Sequence, residues 1–178
     1  MTDIAIHQLA ADNQADLNRS DNSFTVDAEL CLHAEDGRIS YTVRPVAPYV
    51  KRYGPAIYDA QAYIGQPDHV GWLAYADGQL AGQILVHENW NRCASIWDIA
   101  VDPPFRRRGV GRRLIEQAIQ WARDKGLPGI MLETQNINVA ACRLYERCGF
   151  VLGGFDGYLY RGITPGTREI ALFWYLLF

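Results

Sequence analysis

No apolar run in this 178-residue chain reaches the roughly 20 residues that a membrane-spanning helix needs. The segment 171–178 is apolar but too short, and it reads as a buried final strand. The opening residues, Met1-Thr2-Asp3-Ile4, lack the basic region and apolar stretch of a secretory signal, so a cytoplasmic location is expected. Cysteine is scarce. Cys31, Cys93, Cys142 and Cys148 form no Cys-x-x-Cys pair, which argues against metal or redox use and for reduced thiols. The four histidines, His7, His33, His69 and His87, show no ligand spacing to one another, so no metal is expected, and His87 reads as a structural histidine. Positive charge is limited as well. The formal net charge is −3, and beyond one arginine loop there is no basic stripe, which sets nucleic acid aside as a partner. Repeats and low-complexity segments are absent.

What is present suits one domain over 1–178, since 49% hydrophobic residues at this length supply a core without staples. Strict alternation at Phe24, Val26, Ala28, Leu30 and Leu32, a turn at Glu35-Asp36-Gly37-Arg38, and alternation again at Ile39, Tyr41 and Val43 predict a hairpin over about 24–44. A first strand is expected over 4–9, with short helices over 12–17 and 59–64, and breaks at Pro45, Pro48 and Pro55. Strands over 70–76 and 80–87 flank Asp77-Gly78, a type I′ hairpin signal. A strand over about 93–101, a helix over 109–125 and a strand over 130–134 form a right-handed βαβ unit. Helix 138–148 and strands 151–160 and 168–176 complete the chain.

The densest chemical signal is Arg106-Arg107-Arg108-Gly109-Val110-Gly111, placed between a strand and an amphipathic helix whose apolar stripe is Leu114, Ile115, Ala118 and Trp121. Arginines at a helix N-terminus oppose the macrodipole, and an anion there removes the conflict. Free backbone N–H groups and small glycines make the segment a pyrophosphate seat. A dinucleotide fingerprint would want glycine where Leu114 stands, and a triphosphatase loop would want Lys-Ser/Thr after Gly111, where Arg112-Arg113 follow. Downstream, Asn138, Ala141 and Tyr145 share one helix face, and Gly149 is placed as a left-handed stop before Phe150.

Taken together, Arg-x-x-Gly-x-Gly, a helix, a strand ending Leu132-Glu133-Thr134, and Asn-x-x-Ala-x-x-x-Tyr-x-x-x-Gly-Phe resemble the GNAT superfamily of acyl-CoA-dependent N-acyltransferases over roughly 70–160. The resemblance implies an α/β fold: a central, mostly antiparallel sheet with a splayed parallel pair near 96–101 and 130–134, flanked by helices. It divides the domain into a divergent N-terminal part, 1–65, and an acetyl-CoA-binding core, 66–178. The hairpin over 24–44 departs from the helices of the general family pattern. The resemblance places Ile99, Ala100, Val101, Arg106, Arg107, Arg108, Gly109, Val110, Gly111, Arg112, Asn138, Ala141 and Tyr145 against acetyl-CoA. A backbone N–H near Ala100 or Val101 would hold the oxyanion, and Tyr145 would protonate the departing thiolate. Flanking segments, among them Asn89-Trp90-Asn91, Asp98-Ile99-Ala100-Val101, Gly153-Gly154-Phe155-Asp156 and Phe173-Trp174-Tyr175, are similar to those of the streptothricin acetyltransferases, which acetylate the β-lysine amine of a cationic antibiotic and so confer resistance.

Acetyl transfer to an amine needs a proton acceptor, because an alkyl ammonium of pKa about 10 is neutral in roughly one molecule per thousand at pH 7. Glu133, twelve residues before Tyr145, has the spacing of the proposed base in the ribosomal-protein N-terminal acetyltransferases, while Asp98 resembles an aspartate of some aminoglycoside acetyltransferases. Glu88 is a third candidate. For a cationic small-molecule acceptor, Asp98, Glu133, Asp156 and Glu169 offer carboxylates, and Trp90, Trp97 and Tyr158 offer aromatic faces. The favoured reading is a small-molecule amine N-acetyltransferase. Protein or peptide N-acetylation and non-catalytic acyl-CoA sensing are the alternatives, and the apolar C-terminal strand would allow a homodimer.

Overall fold

The computed structural model describes residues 3–54 and 57–178. The break expected at Pro55, and Met1-Thr2 of the N-terminal reading, lie outside the described residues. By internal contact the chain divides into two compact units. The first comprises the residues up to Asn22, Tyr53–Ile130 and Leu177–Phe178. The second comprises Ser23–Arg52 and Met131–Leu176.

In the first unit, β1 (Ile4–Gln8), β4 (His69–Ala76), β5 (Gln79–Glu88) and β6 (Ala94–Val101) lie side by side in that order, each pair antiparallel. The ribbon β2 (Phe24–Glu35) and β3 (Arg38–Lys51) belongs to the second unit. Asp77 and Gly78 both have positive φ, +50° and +78°, as a type I′ turn requires, so the two residues join β4 to β5 as expected. β5 is buried continuously from Ala81 to Val86, the mark of a strand covered on both faces. One cover is α1 (Val110–Asp124), which packs on β4, β5 and β6 and buries Val110, Leu114, Ile115, Ala118 and Ala122. A second cluster joins Leu9, Leu17, Tyr63, Leu73 and Leu85. From α1 the chain turns into β7 (Gly129–Gln135), which opens in this unit at Gly129-Ile130. The helix stops at Gly126, φ +66°, whose N–H bonds Arg123 O at 2.9 Å while Leu127 N–H bonds Ala122 O at 3.0 Å. That pair of bonds is a Schellman cap.

The second unit contains β2, β3, the rest of β7, α2 (Val139–Arg147), β8 (Val151–Asp156) and β9 (Ala171–Leu177), with β9 between β7 and β8. Asp36 and Gly37, φ +48° and +73°, turn β2 into β3. Asn136 is the buried hub of this unit. Its backbone exchanges bonds with Leu30 and Ile170, and its side chain donates to Leu30 O and accepts from Ile170 N–H.

Four sequence expectations are corrected. The ribbon does not end near residue 44, because β3 runs through Pro45 and Pro48 to Lys51. A two-stranded ribbon leaves one edge of β3 without a ladder to break, and the register shifts between Val26 and Ala28, opposite the segment that carries Pro48. The helices expected over 12–17 and 59–64 are three-residue 3-10 turns, Gln14–Asp16 and Ala60–Ala62. The strand expected over 151–160 stops at Asp156, whose carboxylate accepts the N–H groups of Tyr158 at 2.7 Å and Leu159 at 3.2 Å and starts a short 3-10 turn, Leu159–Gly162.

Gly82 permits the close approach of β5 and β6, because a Cβ there would collide with the Ala100 carbonyl oxygen. Gly82→Ala is expected to destabilise the protein by about 1–3 kcal/mol, read as a lower urea midpoint. An unchanged midpoint would mean that the strand pair yields without cost.

Candidate active site

The arginine loop is built around left-handed backbone. Arg107 and Gly109 have φ of +64° and +92°, and Gly109 is the residue on which α1 starts. No side chain caps that helix end, and its first turn carries no acid. A Cβ built on Gly109 would meet nothing within 4 Å, so space is open beside the start of the helix. Arg107 and Arg108 are exposed, whereas Arg106 turns inward. Its guanidinium donates to Val101 O at 2.7 Å and to Asp21 O at 3.1 Å, so it clamps the loop to the end of β6. Val110 is fully buried and anchors the other side of the loop in the core.

On β6, Asp98 is the centre of a polar ring. Gln83 Nε2 donates to its carboxylate at 2.7 Å, and the Tyr58 hydroxyl donates as well. The Gln83 carbonyl accepts the Asn18 N–H at 3.0 Å, and the Asn18 side chain exchanges bonds of 2.9 Å with the Tyr58 backbone. Burial raises the Asp98 carboxyl above the ordinary range, while the two donors pull it back. Burial, and after it the same carboxylate, push the Tyr58 phenol upward, so Tyr58 is a donor at neutral pH. Trp97 is largely exposed and lies 5.3 Å, ring to ring, from His87, which stacks on His69 at 5.5 Å. Burial lowers the His87 pKa, in keeping with a neutral structural histidine. Trp90 stands out at 90% exposure in the turn between β5 and β6. A shallow groove bordered by Asp3, His7, Asp12 and Tyr75 holds none of the expected site residues.

In the second unit, α2 carries Asn138 and Tyr145. Asn138 caps the helix, its Oδ1 accepting the Ala141 N–H at 3.2 Å. At the other end, Gly149 has φ +92°, its N–H bonds Glu146 O at 2.9 Å, and Phe150 N–H bonds Tyr145 O at 3.0 Å. This Schellman cap brings the Phe150 ring to 6.1 Å from that of Tyr145, and Trp174 lies 6.3 Å away on β9. Tyr145 is thus 4% exposed and fixed in place by the glycine stop that follows it. The Tyr41 hydroxyl bonds Glu146, which ties β3 to the same helix.

Glu133, near the end of β7, keeps surface open to solvent, yet protein crowds its carboxylate and raises its pKa. The Tyr160 hydroxyl donates to that carboxylate and acts in the opposite sense. Other expected acceptor contacts already have partners. Asp156 caps a turn, Glu169 pairs with Lys51, and Arg161 lies over the Tyr158 ring at 4.9 Å.

Tyr58, Gln83, Asn18 and Tyr160 were not singled out in the sequence. Gln83 alone carried a signal, a lone polar residue inside the apolar run of β5. Among the described residues, no group of three His, Cys, Asp or Glu side chains could hold a metal ion, and no helix is long and apolar enough to cross a membrane.

An uncapped helix N-terminus behind a glycine loop, followed in sequence by an Asn-capped helix that carries Tyr145, is the pattern on which the chain resembles the acyl-CoA-dependent transferases. Residues 38–150 match the acetyltransferase (GNAT) family, and the chain belongs to it. The chain is 36% identical over 167 residues to streptothricin acetyltransferase A of Bacillus subtilis (strain 168), covering 93% of this chain and 95% of that protein. It is 38% identical over 156 residues to the streptothricin acetyltransferase of Escherichia coli, covering 88% and 86% of the two. A crystal structure from Bacillus anthracis str. Ames, assigned as a streptothricin acetyltransferase and in complex with acetyl coenzyme A, aligns with a TM-score of 0.92 at 44% identity, over 99% of this chain and 100% of that one. The mixed-sheet GNAT fold expected from the sequence is therefore the fold observed.

The polar ring makes a direct prediction for Asp98. Tyr58→Phe removes a donor to the ionised carboxylate, so the Asp98 titration followed by carboxyl carbon NMR should move to higher pH. A midpoint equal to that of the unaltered protein would remove Tyr58 from the ring.

Proposed function

We propose that the protein transfers the acetyl group of acetyl-CoA to a primary amine of a cationic small molecule, and that the acceptor is streptothricin, acetylated on its β-lysine moiety. The observation that carries the reaction class is the left-handed loop at Arg107–Gly109, which opens α1 without a side-chain cap. What supports the acceptor is the similarity, over nearly the whole chain, to enzymes named for streptothricin.

In this reading acetyl-CoA is a substrate that supplies acetyl activated as a thioester. The backbone N–H groups over 107–112 bind its pyrophosphate, with the exposed Arg107 and Arg108 adding charge. Arg106 contributes by holding the loop rather than by touching the ligand. Backbone N–H at Ala100 or Val101 stabilises the developing oxyanion. Glu133 removes the proton from the acceptor ammonium, directly or through water, so that nitrogen can attack the thioester carbonyl. The carbonyl re-forms as the carbon–sulfur bond breaks, and Tyr145 gives its proton to the leaving sulfur. The second proton of the attacking nitrogen leaves through solvent and restores the phenol, which yields the neutral amide. Asp98, half-buried and held by two donors, suits an anchoring role toward the acceptor cation better than that of a mobile base.

Purified protein is expected to release thiol from acetyl-CoA when streptothricin is added, the product gaining one acetyl group by mass. Turnover of peptides or polyamines but not of streptothricin would overturn the acceptor and leave the transferase standing. Tyr145→Phe should lower kcat by about 10²-fold with KM for acetyl-CoA little changed. A near-normal kcat would return Tyr145 to a packing role.

A further inference from the structure

The segment after β8 contributes a side chain that the sequence did not point to. Asp156 ends the strand by accepting two backbone N–H groups, and the 3-10 turn that it starts carries Tyr160 inward to 9% exposure. The carbonyl of Tyr160 accepts the N–H groups of Ile163 at 3.1 Å and Thr164 at 2.8 Å, so two bonds fix that end of its backbone. From that position its hydroxyl donates to Glu133 Oε1.

A glutamate on a strand end has three rotatable bonds, and left alone it samples many orientations. A donor fixed in the protein selects one of them. We propose that Tyr160 is a positioning residue for the reaction, holding the Glu133 carboxylate in the orientation in which its second oxygen takes the proton of the acceptor amine. The proposal rests on the reading of Glu133 as the proton acceptor. It also gives Asp156 a role, since the carboxylate expected to touch substrate instead shapes the turn that delivers Tyr160.

The electrostatic sense agrees with this geometry. Within its unit, Glu133 is acted on by burial, which favours the protonated acid, and by the Tyr160 hydroxyl, which favours the carboxylate. A proton acceptor must be ionised at working pH, so the hydroxyl offsets part of the cost of a crowded site. Losing it moves the Glu133 titration upward and takes the acid limb of the rate profile with it.

The test compares pH profiles of kcat for the full chain, Tyr160→Phe and Glu133→Gln. Phenylalanine keeps the ring and removes only the donor. In Tyr160→Phe the acid limb is expected to move to higher pH, with kcat lower by about 3–10-fold near pH 6 and KM for acetyl-CoA unchanged. A structural role alone would lower the melting temperature and leave the limb in place. If Glu133→Gln abolishes the limb while Tyr160→Phe leaves it unmoved, the positioning role is overturned and the base remains. If Glu133→Gln keeps the limb, the base reading fails and the positioning role fails with it.

Discussion

The first unit is organised around a helix that begins on a left-handed glycine with no side chain capping its first turn. A helix N-terminus carries about half a positive charge in unpaired N–H groups, and proteins ordinarily answer it with Ser, Thr, Asp or Asn. Here Gly109 stands at the cap and exposed arginines precede it, so local electrostatics run against the helix unless an anion arrives. The arrangement holds because the rest of α1 is anchored. Val110, Leu114 and Ile115 are fully buried, and burial of such side chains is worth about 1.5–3 kcal/mol each. That exceeds the 0.5–2 kcal/mol typical of a missing cap. The core can therefore carry an end that is poor for stability and good for binding a pyrophosphate.

The two central carboxylates are handled differently. Asp98 is closed in by Gln83 and Tyr58 within a ring that also draws in Asn18, whose own φ is +68°. Glu133 has one donor from Tyr160 and surface open to solvent. Burial pushes both upward, but a fixed, doubly bonded carboxylate suits holding a cation, while a partly open one suits accepting a proton and passing it on.

Much of this was legible in the chain because it rests on local chemistry. Asp36-Gly37 and Asp77-Gly78 named their turns, Gly149 named the end of α2, and the apolar stripe of α1 named its core face. The failures share a cause. Pro45 and Pro48 read as breaks because the sequence does not show that β3 pairs on one edge only. Phe155, Tyr158 and Tyr160 read as one strand because the Asp156 side chain, rather than the hydrophobic pattern, decides where extended backbone stops. The partners of Asp98 and Glu133 come from 15 to 40 and 27 residues away, and no spacing rule connects such positions.

Under the proposed function the N-terminus of α1 binds the pyrophosphate of acetyl-CoA, and a pair of calorimetric titrations tests this most directly. Acetyl-CoA and acetyl-pantetheine carry the same thioester and the same pantetheine arm, but the second lacks the pyrophosphate together with the 3′-phosphoadenosine attached to it. The account predicts that acetyl-pantetheine binds at least about tenfold more weakly, a loss of roughly 1.4 kcal/mol or more, and that added salt narrows the difference. Equal affinity for the two thioesters would contradict it.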